Sequence, residues 1–197
     1  MGNKNFYNIN VTLPNQLSIL RIVLSPLFLY LFLSDNLLYK KISVGVYLIA
    51  TITDWYDGWH ARKFGVVTKT GIFLDPLADK ILTSCAFIGF FLIGMMPLWM
   101  VILIVIRDIV ITVMRSYSEM NGKTLPTSYI AKVKTFVQMT YIFAILVLFF
   151  WSISTNDLST RVEIGVYLLS PYNFFAMALV TFLTVYTGIT YFFEKKS

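Results

Sequence analysis

Only one cysteine, Cys85, and one histidine, His60, occur in 197 residues. One thiol cannot close an intrachain disulfide, and one imidazole excludes a metal centre built on several histidines. Any metal must therefore be held mainly by oxygen ligands. Cys85, among apolar neighbours, reads as a small core residue, and His60 as a packed or exposed ring rather than a ligand. Charge is scarce as well: Asp, Glu, Lys and Arg make up 13% of the chain, against about 25% in soluble domains. That is too little to coat a globule in water. No low-complexity tract or internal repeat is evident. A polar start, followed by a long apolar stretch without a small-residue cleavage site, gives no expectation of a removable signal peptide.

What fills the chain is apolar: 57% of residues, against roughly 45–50% ordinarily. A helix needs about 20 mostly apolar residues to cross a bilayer. Spans are expected at about 16–33, 42–60, 72–93, 97–118, 132–152 and 172–192. Ile81–Ile106 runs for 26 residues without a charge, but Gly94-Met95-Met96-Pro97 divides it, with Pro97 suited to a helix start. Ile164–Phe193 runs for 30 uncharged residues, too long for one crossing at 1.5 Å per residue. Ser170-Pro171-Tyr172-Asn173 divides it, leaving an interfacial segment before the sixth span. The expected fold class is an all-α integral membrane protein of six transmembrane helices with a short N-terminal juxtamembrane segment, forming a single membrane-embedded domain over 1–197.

The net charge of +6 suits either nucleic acid or an anionic membrane surface, and the apolar runs decide against nucleic acid. Of 16 Lys and Arg residues, only Lys40, Lys41 and Arg161 fall on one side of the expected topology. The positive-inside rule then puts both termini and the segment around Asp54–Arg62 in the cytosol.

Topology does not explain Asp54, Asp57, Asp75 and Asp79 at the edges of two apolar helices. An Asp at a helix centre costs about 2.5–3.5 kcal/mol to insert, less near the interface. Four together need water, protons or cations. The i,i+3 and i,i+4 spacings put each pair on one helical face, and a helix hairpin can make the pairs converge. Carboxylate oxygens without His or Cys suit Mg²⁺ or Mn²⁺, with substrate phosphates completing the shell. Gly58, Ala61 and Gly71 on the same faces leave room for a flat ligand against backbone. Arg62 and Lys63 supply positive charge for a diphosphate. Taken singly, the small residues read as helix packing and the two cations as topology anchors. In register with four Asp residues they read as a site. Arg107 and Arg115 lie two turns apart along roughly one face of the fourth span, and Lys132 and Lys134 open the fifth. Arg107, Arg115 and Lys134 around one cytosolic cavity can hold a second phosphate, whereas Lys123 and Lys132 read as anchors.

Asp54-Trp55-Tyr56-Asp57-Gly58-Trp59-His60-Ala61-Arg62 and Gly71-Ile72-Phe73-Leu74-Asp75-Pro76-Leu77-Ala78-Asp79, eight residues apart, resemble the full signature of the CDP-alcohol phosphotransferases. The six-helix reading agrees with that family's fold. Leu13-Pro14-Asn15-Gln16-Leu17-Ser18-Ile19-Leu20-Arg21, Arg107-Asp108 with Arg115, and Lys132-Val133-Lys134-Thr135 with Gln138 are similar to the bacterial branch whose acceptor is glycerol 3-phosphate. Ser18 stands where Thr is frequent and keeps the hydroxyl. The resemblance implies phosphatidyl transfer from CDP-diacylglycerol to glycerol 3-phosphate, giving phosphatidylglycerol phosphate and CMP. It further implies one or two Mg²⁺ or Mn²⁺ ions on Asp54, Asp57, Asp75 and Asp79, with Asp79 also the general base. Pro14, Asn15, Gly58, Ala61, Arg62, Thr68 and Gly71 are implied to contact the CDP-diacylglycerol donor, and Arg107, Arg115 and Lys134 the acceptor phosphate. A homodimer in the bacterial cytoplasmic membrane, with a cytosolic active site, is implied too. Alternatives are the same chemistry on inositol phosphate, phosphatidylglycerol or another alcohol, a cation transporter, and a non-catalytic lipid-binding scaffold. A transporter site is usually near the bilayer midplane, whereas these acids cluster at one rim.

Overall fold

The computed structural model describes residues 13–64, 69–121 and 129–194. They form seven helices and, among the described residues, no strand: α1 (Leu13–Leu33), α2 (Leu37–Phe64), α3 (Lys69–Leu92), α4 (Leu98–Met120), α5 (Tyr129–Ser154), α6 (Leu158–Leu168) and α7 (Pro171–Glu194). Six are long and overlie the six stretches expected as spans, each as a helix. The seventh, α6, has 11 residues and, at about 1.5 Å per residue, is too short to span a bilayer. It occupies the segment expected to be interfacial. Its N-cap, Asp157, accepts from the backbone N–H groups of Ser159 and Thr160. Bonds from the Thr160 and Ser159 hydroxyls and those amides hold its carboxyl down at about 2, so the cap is ionised at neutral pH.

Polarity is distributed inside out. Phe136, Phe143, Trp151, Phe175 and Phe182 are among many large apolar side chains on the outer surface. Buried positions include Ser18, Arg21, Asp108, Lys134, Gln138, Asn173 and Thr187. A bundle solvated by lipid gains nothing from hiding its apolar faces and must hide its polar ones. Among the described residues, Asn15–Leu33, Tyr129–Ser154 and Pro171–Tyr191 are long and apolar enough to cross a membrane. The chain is a membrane protein. The other long helices are as long but carry charge: α2 has Asp54 and Asp57, α3 has Asp75, Asp79 and Lys80, and α4 has Arg107, Asp108 and Arg115.

α1 packs against α2 and α3, α3 against α4, and α4 against α7, while α5 touches α2, α3, α6 and α7. An aromatic knot ties the end of this bundle opposite the charged segments. Phe32 of α1 meets Phe149 of α5 at 4.7 Å between centroids, and Phe28 meets Tyr47 of α2 at 5.2 Å. Gly89 of α3 admits the Phe32 ring, since a Cβ there would lie 3.0 Å from it. Cys85 packs at the edge of this core as a free thiol.

The α3–α4 turn follows from its sequence. Gly94 has φ 80°, its N–H donates to Phe91 O at 2.9 Å, and the N–H of Met95 reaches back to Phe90 O at 2.9 Å. This pair of bonds ends a helix on a left-handed residue, a conformation glycine adopts without a Cβ clash. Pro97 is the cap itself rather than the first helical residue, with extended backbone that starts α4 at Leu98. Gly94→Ala should lower stability by about 1–2 kcal/mol because of the left-handed φ. Gly45→Ala, inside α2 with nothing within 4 Å of the added methyl, should be neutral or stabilising by up to about 1 kcal/mol. Thermal unfolding of both variants in detergent checks the opposite signs.

Candidate active site

α1 carries a buried polar row, Asn15, Ser18, Arg21 and Ser25, whose spacings of three and four repeat along one helical face. Arg21 is fully buried, yet its Nη1 lies 2.6 Å from Asp54 Oδ1 on α2, and its Nε donates to Ala50 O at 3.3 Å. The guanidinium thus straddles one turn of α2. One turn earlier, Ser18 Oγ donates to Asp75 Oδ1 on α3. A single turn of α1 therefore fixes two of the four sequence-predicted carboxylates, one from each arm of the α2–α3 hairpin. The Asp54 side chain stays 40% exposed, so its anchoring leaves the carboxylate accessible. Gly71 is buried one turn before Asp75, and Asn15 is buried at the start of the α1 row.

Asp79 comes one turn after Asp75 on the same side of α3 and has a different partner. Its Oδ2 lies 3.1 Å from Lys80 Nζ, and both residues line a cavity of about 610 Å³ between α3, α4, α5 and α7. Arg107 and Arg115 of α4 share that wall, with Lys132 and Thr135 of α5 and Thr187 of α7. The sequence-predicted base and two of the three predicted phosphate ligands thus meet at one hollow.

The third does not reach it. Lys134 is 1% exposed, and its Nζ lies 2.5 Å from Asp108 Oδ1, beneath the cavity rather than on its wall. Lys132, whose sequence position reads as an anchor, lines the cavity instead. Asp108, itself 1% exposed, also accepts from Gln138 Nε2 at 3.1 Å and from Arg107 Nη1 at 3.0 Å. A carboxylate buried this deeply is tolerable only with such partners. Arg107 Nη2 donates to Thr187 Oγ1 at 2.8 Å, and Arg115 Nη2 lies 3.7 Å from Glu119 Oε1, a looser pair. Nothing in the sequence singled out Lys80 or Thr187, Lys132 reads there as an anchor, and Asp108 enters only through resemblance. Ser18 and Arg21 entered only through resemblance, although a charge inside the apolar Leu13–Leu33 stretch was itself a signal that a partner exists.

The side chains of Pro14, Asp57, Ala61 and Arg62, the surroundings of Gly58, and all of Thr68 lie outside the described residues. Among the described residues, no three acidic, His or Cys side chains converge closely enough to hold an ion. The donors that are described, Asp54, Asp75 and Asp79, are carboxylates alone. That chemistry fits a hard divalent cation and none that prefers nitrogen or sulfur.

The profile of the family described as CDP-alcohol phosphatidyltransferase matches residues 11–186. A protein named CDP-diacylglycerol--glycerol-3-phosphate 3-phosphatidyltransferase from Rickettsia prowazekii is 33% identical over 184 residues, covering 93% of this chain and 95% of its own. One of the same name from Bacillus subtilis is 35% identical over 147 residues, covering 68% of this chain and 76% of its own. A probable phosphatidylglycerophosphate synthase from Mycobacterium tuberculosis is 34% identical over 188 residues, covering 91% and 79%. These names lend the transporter reading no support. With the profile spanning most of its length, the chain belongs to the CDP-alcohol phosphatidyltransferase family.

Proposed function

We propose that the protein transfers the phosphatidyl group of CDP-diacylglycerol to glycerol 3-phosphate, giving phosphatidylglycerol phosphate and CMP. The observation that carries this reading is the cavity that Asp79 lines together with Arg107, Arg115 and Lys132. A base beside a cluster of cations suits an alcohol that bears its own anion. Similarity to relatives named for glycerol 3-phosphate supports the same acceptor over inositol phosphate.

In this reading Asp79 takes the proton of the acceptor's primary hydroxyl as its oxygen attacks the β-phosphorus of the donor. The new O–P bond forms as the bond to CMP breaks, and CMP leaves with the electron pair. Arg107 and Arg115 hold the acceptor phosphate with charge-assisted hydrogen bonds, aligning the hydroxyl toward Asp79. Lys132 adds positive charge at the entrance. Arg62 steadies the donor diphosphate, while Pro14, Asn15, Gly58, Ala61, Thr68 and Gly71 shape the nucleotide site. Asp54, Asp57, Asp75 and Asp79 would hold one or two Mg²⁺ or Mn²⁺ ions, which neutralise charge developing on the phosphoryl and leaving oxygens. Ser18 and Arg21 keep Asp75 and Asp54 oriented for that task.

The six long helices, α1 to α5 and α7, are proposed to cross the cytoplasmic membrane as one catalytic domain. Both termini and the Asp54–Arg62 segment face the cytosol, where water-soluble acceptor and CMP exchange. Donor acyl chains remain in lipid beside the apolar outer surface. A homodimer rests on family resemblance.

Asp79→Asn should keep much of the donor binding and lose turnover by about 10²–10⁴-fold. CMP release by the purified variant measures this, and near wild-type turnover would remove Asp79 as base. Arg115→Ala should raise the KM for glycerol 3-phosphate by about 10–100-fold, the usual weight of a hydrogen bond to a charged group, with little change in donor KM. An unchanged acceptor KM would take Arg115 out of the phosphate site.

A further inference from the structure

Arg107 reaches the cavity across α7, and two α7 residues shape its path. Gly188 lies directly under its stem: a Cβ there would be 2.9 Å from Arg107 Cγ, 3.4 Å from Nε and 3.7 Å from Cδ. The first distance is shorter than carbon atoms tolerate, and the atom met is the base of the side chain rather than its mobile end. Any other residue would push the stem aside. The preceding residue supplies the hold. Thr187 Oγ1 accepts from Arg107 Nη2 at 2.8 Å, while its own hydroxyl proton is directed to backbone oxygens of α7, Leu183 O at 2.8 Å or Thr184 O at 3.0 Å. The hydroxyl has one proton to give. Committing it to the helix leaves an oxygen lone pair facing the guanidinium. Thr187 is 2% exposed, so water does not readily substitute for it.

Nη1 of the same guanidinium is held by Asp108 at 3.0 Å, and Asp108 is fixed in turn by Lys134 and Gln138. Arg107 is therefore pinned from α4 and α5 through Asp108 and from α7 through Thr187. The α7 contact ties the guanidinium directly to another helix, whereas Asp108 neighbours Arg107 on its own helix. Both α7 residues fall just beyond the stretch matched by the family profile, which ends at residue 186.

We propose that Thr187 and Gly188 are positioning residues for the acceptor: Gly188 leaves the passage that the Arg107 stem occupies, and Thr187 fixes its guanidinium where an acceptor phosphate is bound. The proposal rests on the glycerol 3-phosphate reading of the cavity. Neither residue touches the reacting atoms, so their effect should appear in acceptor affinity and vanish when Arg107 is absent.

The test uses purified full-length protein in detergent with CDP-diacylglycerol and glycerol 3-phosphate, following CMP release. Thr187→Val, which keeps the shape and removes the acceptor oxygen, should raise the glycerol 3-phosphate KM by about tenfold. That rise should exceed any fall in kcat, with donor KM little changed. Thr187→Ser, which restores the oxygen, should recover most of the loss. Gly188→Ala should produce the same KM-dominated defect through the stem. In an Arg107→Ala background, Thr187→Val should cause no further rise in KM. Equal KM values for wild type and Thr187→Val, or the same additional rise with and without Arg107, would overturn the positioning role. If Thr187→Val does not fold, Gly188→Ala and Thr187→Ser carry the test: Gly188→Ala with wild-type acceptor KM overturns it. Failure of the wild type to use glycerol 3-phosphate would instead contradict the proposed function itself.

Discussion

A charged group inside a lipid-solvated bundle must have a partner, and that constraint organises this protein. Water is not there to stabilise a lone guanidinium or carboxylate, so each buried charge recruits an opposite charge or hydrogen-bonding group from another helix. Arg21 recruits Asp54, and Asp108 recruits Lys134, Gln138 and Arg107. These pairings are long-range contacts between α1 and α2, between α4 and α5, and, through Thr187, between α4 and α7. They join the helices at the same end where the chemistry is proposed. The opposite end is held by aromatic packing, with Phe28, Phe32, Tyr47 and Phe149 in contact.

This division has a functional consequence. Partners that satisfy a charge also orient it, so the framework of the bundle doubles as the support of the site. Ser18 and Arg21 occupy one face of α1, and together they set a carboxylate on α2 and one on α3. Asp108 performs the corresponding task for Arg107 beneath the cavity. Asp79, Arg115 and Lys132 are left at the cavity wall, where solvent and a small anion can reach them. Loss of Arg21 would therefore act twice, leaving Asp54 without its cation and loosening α1 from α2.

Much of this was legible in sequence because it is written in local patterns. Apolar runs located six long helices, Gly94 and Pro97 located a turn, and the spacing of Asp54, Asp57, Asp75 and Asp79 pointed to a candidate site. What was not legible depends on pairs far apart in the chain. Nothing local links Arg21 to Asp54 or Arg107 to Thr187. The choice between Lys132 and Lys134 illustrates the point: two residues apart on a helix they differ by about 200° in direction, so only one can face the cavity. Which one does is decided by Asp108 on the neighbouring helix, whose carboxylate captures Lys134.

The cavity beside Asp79 is proposed to take an alcohol bearing its own phosphate. The most direct measurement is metal-supported CMP release from CDP-diacylglycerol by the purified protein, offered in turn glycerol 3-phosphate, inositol phosphate, free inositol, serine and phosphatidylglycerol. Turnover with glycerol 3-phosphate should be well above that with every other acceptor, and least with the acceptors that lack a phosphate. Turnover with serine or free inositol equal to that with glycerol 3-phosphate, or none with glycerol 3-phosphate, would contradict the proposal.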